Sequence, residues 1–572
     1  MSKTMSRLGL PFVIGLALAI RLYAIHHLDF DGLYGQDSFA YFYHGFALWH
    51  NHALEYHWPW LPTPTRLFWP MGFPTLLALG FLIAGHASAD AAQVITLCGG
   101  LAVTALTYGL ALRFAGSVLP PPVAHAAALC ASALIAVSGL QVQASVTVMS
   151  DAPALAWALL AIWLWTGPKH GTVRRRAGSL LAGVSLAAAI STRYEYAPLI
   201  VAPIVYWCLT AFPSRAPKLP GEHAPSLRFG LLGAVLAGLP QLIYSAGYSS
   251  PILHNEWLTE WNLRHLWQAS FSTPDGVQHY AHSVGAFYLI RPLVAPESLP
   301  WVLAPFLPLG LLALAWNSNR RLVVSFQWLN QPPASDCDRG SALPGPHRTG
   351  PTSRRGAGLA SEAPEDGIRV RPQSGPYLAL LLSWWLVPTL YLIGVPFESA
   401  RFALIAQPAL AIGEGIGLAW AAWLLFLYRR KYGRIIILAA LLWAGCGLAL
   451  AATNSEGPVA VLARGKTSDQ AAITWIRAHA APGTAVATFD LTLMLYHYGN
   501  LDQHHLKLYD LSAINAADWA ALAGAPHVLV VANVGNLRQQ WQGLPPDQSF
   551  RRLIAEKHLT PIAEAGVYTI YG

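Results

Sequence analysis

Asp37 lies just beyond the first hydrophobic run, in the stretch Leu28-Asp29-Phe30-Asp31-Gly32-Leu33-Tyr34-Gly35-Gln36-Asp37-Ser38-Phe39-Ala40-Tyr41. A carboxylate held at a membrane surface, with aromatic rings beside it, can take a proton from an acceptor hydroxyl while a lipid-carried donor approaches from the bilayer. The competing reading is a solvated loop carboxylate with no chemistry. Choosing between them requires knowing which other residues share its compartment.

Composition sets the class. Of the residues, 54% are apolar and 11% charged, and apolar runs of membrane-spanning length recur along the chain. The chain reads as a polytopic α-helical membrane protein. Its net charge of +8 sits mostly in short loops, which marks topology and not a nucleic-acid partner. Leu8–Ile25, preceded by Lys3 and Arg7, resembles a secretory signal, but Arg21 interrupts it and no small-residue cleavage pattern follows, so a retained first span is expected. Further candidates, among them Phe402–Tyr428, bring the expectation to about eleven spans.

The run Met71–Gly85 is barely long enough to cross. If it does not cross, Arg113, the Lys169/Arg174/Arg175/Arg176 cluster, Arg215/Lys218/Arg228, the arginines from Arg320 to Arg371 and Arg429/Arg430/Lys431/Arg434 all join the N-terminus inside. That distribution obeys the positive-inside rule, and the crossing alternative violates it. An interfacial helix is therefore expected, with residues 29–89, the turn Gln141–Ser150, the Arg193–Glu195 turn, residues 249–300 and the tail on the outer face.

Arginine is sparse in those outer segments: Arg66, Arg193, Arg264, Arg291 and Arg401, with Arg21 near the outer end of the first span. A cation kept where the bias disfavours it is a candidate partner for a lipid phosphate or a carboxylate. An ordinary snorkelling arginine is the bland alternative.

The chain divides into a membrane module (1–316), a Pro-, Gly-, Ser- and Arg-rich cytoplasmic linker expected to be disordered (317–374), further membrane helices (375–453) and a small α/β domain (454–572). In the last, helix signals at Asp469–Ala480, Ala516–Ala523 and Phe550–His558 alternate with strand signals at Ala485–Phe489, Val528–Ala532 and a pair within Thr560–Tyr571, which predicts a largely parallel sheet with an antiparallel edge. Cys98, Cys130, Cys208 and Cys446 fall in predicted spans and Cys337 in the linker, so no outer disulfide is expected. His44, His50, His52 and His57 match no metal-ligand spacing. No feature calls for a metal or other cofactor, although a divalent ion is compatible with the chemistry. Trp58, Trp60, Phe68 and Trp69 could stack on a sugar or form an interfacial belt.

The order of several short motifs resembles the polyprenyl-phosphate-dependent glycosyltransferases of the C-type (GT-C) fold, the superfamily of protein O-mannosyltransferases and the lipid A aminoarabinose transferase. They are Arg21-Leu22, Gln36-Asp37-Ser38-Phe39-Ala40-Tyr41, Trp69-Pro70-Met71-Gly72-Phe73-Pro74, Met149-Ser150-Asp151-Ala152-Pro153, Ser191-Thr192-Arg193-Tyr194-Glu195 and Ala400-Arg401-Phe402, followed by Gln407-Pro408-Ala409. The resemblance implies inverting sugar transfer from a polyprenyl-phosphate donor to an acceptor hydroxyl on a protein, lipid or glycan at the outer face. It points to a multi-pass plasma-membrane protein with a cytoplasmic N-terminus and a periplasmic C-terminal domain. By family position Asp37 is the base, and since a base must stay ionised, a cation or donors are expected beside it. Asp151 would help hold Asp37 or the acceptor; alternatively Ser150 or Asp151, followed by Pro153, simply caps the helix. Arg193 and Arg401 would neutralise the donor phosphate, with Asp31, Tyr41, Arg66 and Glu195 in support. The family's acid pair is reduced here to Asp37, so Asp29 or Asp31 could share its role. A lipid or solute transporter or flippase, a lipid-linked glycan ligase or polymerase, and a non-catalytic GT-C-like protein are the alternatives.

Overall fold

The computed structural model describes residues 3–61, 63–67, 69–167, 172–212, 224–247, 260–273, 276–319, 374–428 and 432–572. Phe68, Lys169, Arg215, Lys218, Arg429, Arg430, Lys431 and the segment 320–373 with Cys337 lie outside them. Among the described residues six helices are long and apolar enough to cross a membrane, or seven if one bent pair counts as a span. Three shorter apolar helices accompany them.

The first helix, α1 (Lys3–His27), leads into a loop and then α2 (Gln36–Asn51). A two-residue antiparallel ladder, β1 (Glu55–Tyr56) with β2 (Thr65–Arg66), precedes α3 (Gly72–Ala84). Phe73, Leu77 and Phe81 repeat every four residues and are fully buried, while Leu79, Leu82 and Ile83 are 51%, 65% and 78% exposed. A helix with one apolar face packed and another open suits an interface. Gly72 lets α3 approach the end of α8 (Thr172–Thr192), since a Cβ there would stand 2.4 Å from the Ser191 carbonyl oxygen.

Ser88 caps α4 (Ala89–Gly116), accepting from the Ala91 amide. Near its start, Gln93 donates to the carbonyls of Phe30, just past α1, and Val146. The loop from α1 to α4 therefore leaves and returns at one end of the bundle.

Between α5 (Pro121–Val137) and α6 (Gly139–Val146) the chain bends by 60°. The expected outer turn Gln141–Ser150 is thus mostly helical. The reason is tertiary: Gln141 is fully buried and its Nε2 donates to Gln407 at 2.9 Å, which favours an ordered turn of helix over a solvated loop. Next come α7 (Asp151–Thr166), α8, a 3-10 turn (Tyr194–Ile200), α9 (Val201–Ala211) and α10 (Leu227–Gly247). A hairpin of β3 (Ser270–Thr273) and β4 (Gly276–His279) follows. Helices Phe306–Asn319, Gly375–Gly394, Gln407–Tyr428 and Gly433–Thr453 complete the bundle. The expected span from Phe402 is broken, because Ala400–Ile405 is a 3-10 turn and the α-helix begins at Gln407.

Gly457–His479 leads into the last domain. Its five-stranded sheet has the order β6 (Lys507–Asp510), β5 (Ala485–Thr488), β7 (Val528–Ala532), β9 (Tyr568–Tyr571), β8 (Pro561–Ala565). β6, β5 and β7 run parallel, and β9 and β8 close the edge antiparallel. This domain rests on the first loop. Asp31 is paired with Lys466 and accepts from the Tyr498 hydroxyl at 2.6 Å, and the Lys466 ammonium lies 5.0 Å from the Tyr498 ring centroid. The Val277 amide of β4 also bonds the Gln540 carbonyl at 3.1 Å.

Candidate active site

Gly35 at φ 78° turns the chain into α2, a conformation that glycine adopts without the Cβ penalty. The Ser38 hydroxyl then locks the turn, accepting from the Tyr34 amide at 2.8 Å and donating to its carbonyl at 2.7 Å. Asp37 is thereby placed in the first turn of α2, where the helix dipole favours a negative charge. Arg401 reaches it from the 3-10 turn Ala400–Ile405: Nη2 donates to Asp37 Oδ2 at 2.7 Å, with side-chain exposures of 31% and 27%. The partner cation expected beside Asp37 is thus Arg401. Burial works most strongly against the Arg401 charge, but the charge and hydrogen bond of Asp37 together with the charge of Asp151 outweigh it, so the guanidinium pKa is raised.

Arg193 sits in extended backbone between α8 and the next turn. Its Nη1 lies 3.1 Å from Asp151 Oδ1 and 3.2 Å from Ser150 Oγ, and its Nε lies 3.4 Å from Glu195 Oε2. Arg193 and Asp151 are both buried. Both guanidiniums lie against the ring of Phe402, at 4.9 Å for Arg193 and 5.5 Å for Arg401. One aromatic ring therefore links the two ion pairs. The Ser150 hydroxyl donates to Tyr41 at 3.3 Å, and burial pushes the Tyr41 phenol well above its usual pKa, so it stays protonated. Tyr41 also packs edge-on to Phe73 at 5.1 Å, which ties the interfacial helix to the cluster.

The structure thus brings Asp37, Tyr41, Asp151, Arg193, Glu195 and Arg401 together. Ser150 stands at the N-cap of α7 but makes no side-chain cap bond, and its hydroxyl serves Arg193 and Tyr41 instead. Asp31 is elsewhere, committed to Lys466 and Tyr498, and Asp29 is exposed at the turn that ends α1. Arg66 stands apart, paired at the surface with Glu55. Arg21 is fully buried and donates to the Ala17 and Ala136 carbonyls, so it is no surface partner for a lipid phosphate.

His44 is buried against the Leu54 carbonyl, and desolvation pulls its pKa down to about 4. Among the described residues no group of three His, Cys, Asp or Glu could hold a metal ion. Trp58 and Trp60 pack with Tyr56 and Tyr496, joining the first loop to the last domain, while Trp69 packs on Tyr41. Sequence reasoning gave Ser150 only a capping role and gave none to Phe402 or Lys466. It also passed over Glu398, whose carboxyl is pushed up to about 7 by burial against the pull of Arg291. Ser150 and Phe402 do flank charged residues in the motifs, the one signal that could have found them.

Residues 91–244 match the family model of dolichyl-phosphate-mannose-protein mannosyltransferases. No curated protein matches the chain. Two crystal structures of ArnT from Cupriavidus metallidurans resemble it along nearly its whole length. The apo form has TM-score 0.57 and 12% identity over 100% of this chain and 98% of that one. The form bound to undecaprenyl phosphate has 0.55 and 12% over 98% and 97%. The fold is that of the C-type glycosyltransferases. The apo oligosaccharyltransferase of Archaeoglobus fulgidus matches with TM-score 0.55 and 14% identity, covering 94% of this chain and 70% of that one. The loop that carries Asp31 and Asp37 meets the α/β domain through Lys466 and Tyr498.

Proposed function

We propose that this multi-pass membrane protein transfers a sugar from a polyprenyl-phosphate donor to an acceptor hydroxyl, with inversion, using Asp37 as base. The observation that carries this reading is the Asp37–Arg401 pair at 2.7 Å, about one-third exposed on each side, beside the buried Arg193–Asp151 pair. An acceptor hydroxyl hydrogen-bonded to Asp37 attacks the anomeric carbon as its proton moves to the carboxylate, and the lipid phosphate departs from the opposite face. Charge develops on that phosphate as the bond breaks, and Arg401, with donors beyond the one given to Asp37, can meet it. Arg193 is already satisfied by two carboxylates, so its part is to hold Phe402 and the Ser150–Tyr41 contact in place. Asp151 fixes Arg193 in turn.

In this reading the cluster and the α/β domain face the periplasm and the N-terminus faces the cytoplasm, supported by the arginine distribution. A reporter inserted between Lys169 and Arg176 should then be cytoplasmic. The deciding assay incubates the protein in lipid nanodiscs with polyprenyl-phosphate sugars and candidate acceptors, beside Asp37→Asn. Turnover by the wild type and its loss in the variant is expected. Equal turnover by both removes Asp37 as base, and no turnover with any donor returns the transporter reading.

A further inference from the structure

We propose that the groove between α8, α9 and α10, at the end of the bundle away from Asp37, binds the phosphodiester headgroup of an anionic phospholipid. The site is a cavity of about 360 Å³ whose lining includes Arg175, Trp207, Ser226, Leu227 and Arg228. Arg175 Nε is buried there and has no hydrogen-bond partner among the described residues. A buried donor without an acceptor is costly, and a phosphodiester oxygen supplies the acceptor and the opposite charge together. Among the described residues from Thr172 to Gly247 the one acid is Glu195, which serves Arg193 at the other end. The described residues therefore place no carboxylate at the groove. Arg176 is engaged over the Phe229 ring at 5.4 Å, so Arg175 and Arg228 are the pair facing the cavity.

The walls are rigid. Gly183 meets the Gly230 backbone and Gly233 meets that of Leu180, where added Cβ atoms would clash, and the Ser226 amide bonds Ser179 Oγ at 2.9 Å. Depth identifies the ligand as a lipid. Arg175 and Arg193 lie near opposite ends of α8, about 27 Å apart at 1.5 Å per residue, close to the hydrocarbon thickness of about 30 Å. The groove thus stands at the headgroup level of the opposite leaflet. Beside it Leu209, Phe212 and Leu231 are 48%, 72% and 57% exposed, an apolar surface along which acyl chains can lie.

The test is native mass spectrometry of the full chain from phosphatidylcholine nanodiscs titrated with phosphatidylglycerol. The wild type should retain phosphatidylglycerol, and the Arg175→Gln/Arg228→Gln double variant should bind it about tenfold or more weakly. The exposed Arg434→Gln control should bind it like the wild type. Equal binding by wild type and double variant overturns the site, as does an equal loss in the control. Displacement of the lipid by millimolar inorganic phosphate overturns the lipid assignment in favour of free phosphate. An unchanged melting midpoint of the double variant in pure phosphatidylcholine shows that it is folded. None of these readouts depends on transferase activity.

Discussion

Lys466→Met is expected to loosen the loop that carries Asp37 without unfolding the protein. Asp31, six residues before Asp37, receives Lys466, the Tyr498 hydroxyl at 2.6 Å and the Leu33 amide at 3.0 Å. Breaking a fully buried pair costs about 3–5 kcal/mol, and breaking an exposed one about 0–1 kcal/mol. Lys466 is 7% exposed but Asp31 is 29%, and Tyr498 stays bonded to Asp31, so the intermediate range of about 1–3 kcal/mol is expected. Methionine keeps an apolar stem against the Tyr498 ring, which limits the packing loss. The assay is amide hydrogen exchange at Leu33 and Tyr34, whose amides bond Asp31 and Ser38. A loss of that size in local opening energy speeds exchange there by about 5- to 150-fold. Unchanged protection over residues 28–38 would refute the clasp. Faster exchange throughout the bundle would refute its locality.

Asp37→Asn should lower turnover by about 10² to 10⁴-fold while leaving the melting midpoint near that of the wild type, read by single-turnover sugar transfer and thermal unfolding. Asp151→Ala should instead destabilise by about 3–5 kcal/mol, because it strands the buried Arg193 with the more distant Glu195; an unchanged midpoint with abolished turnover would move Asp151 into the chemistry. Gly72→Ala should shift α3 away from Ser191 and cost about 1–3 kcal/mol, measured as a lower midpoint. Asp469, bonded by Tyr568, has its carboxyl pushed up from 3.8 to about 6, chiefly by burial. The folded state therefore holds this proton more tightly than the unfolded one, so the contribution of Asp469 is fully present below about pH 3.8 and lost as pH rises through 6. Between pH 5 and 7 this removes about 1 kcal/mol, and Asp469→Asn should flatten that part of the midpoint-versus-pH curve.

Much of the architecture is legible in residue order. Buried β7 matches the apolar run Val528–Ala532, and the last two strands fall where Thr560–Tyr571 predicts them. Asn515 and Asp518 form the capping box of a helix near Ala516 that the sequence also announces. The short β6 and the helix Thr492–Tyr498 were missed, since each is too brief for its period to show. The helix Gly457–His479 is longer than the segment predicted from Asp469, because its first turns pack on α6 and carry Lys466 to Asp31.

Composition and local pattern alone determined that the chain spans membranes, that Met71–Gly85 is apolar but barely long enough to cross and that a small α/β domain follows the last helices, since each follows from apolar content, run length or alternating periodicity. Tertiary structure decided which charges meet. Asp37 and Arg401 are 364 residues apart, and nothing local distinguishes Asp37 from Asp31, which lies in the same loop. Only packing brings Arg401 to the first and Lys466 to the second, and only packing sets Phe402 under both arginines. Ion pairing acts over a few ångströms of space and carries no signature along the chain, so the fold had to assign one carboxylate to the site and the other to the clasp that holds it.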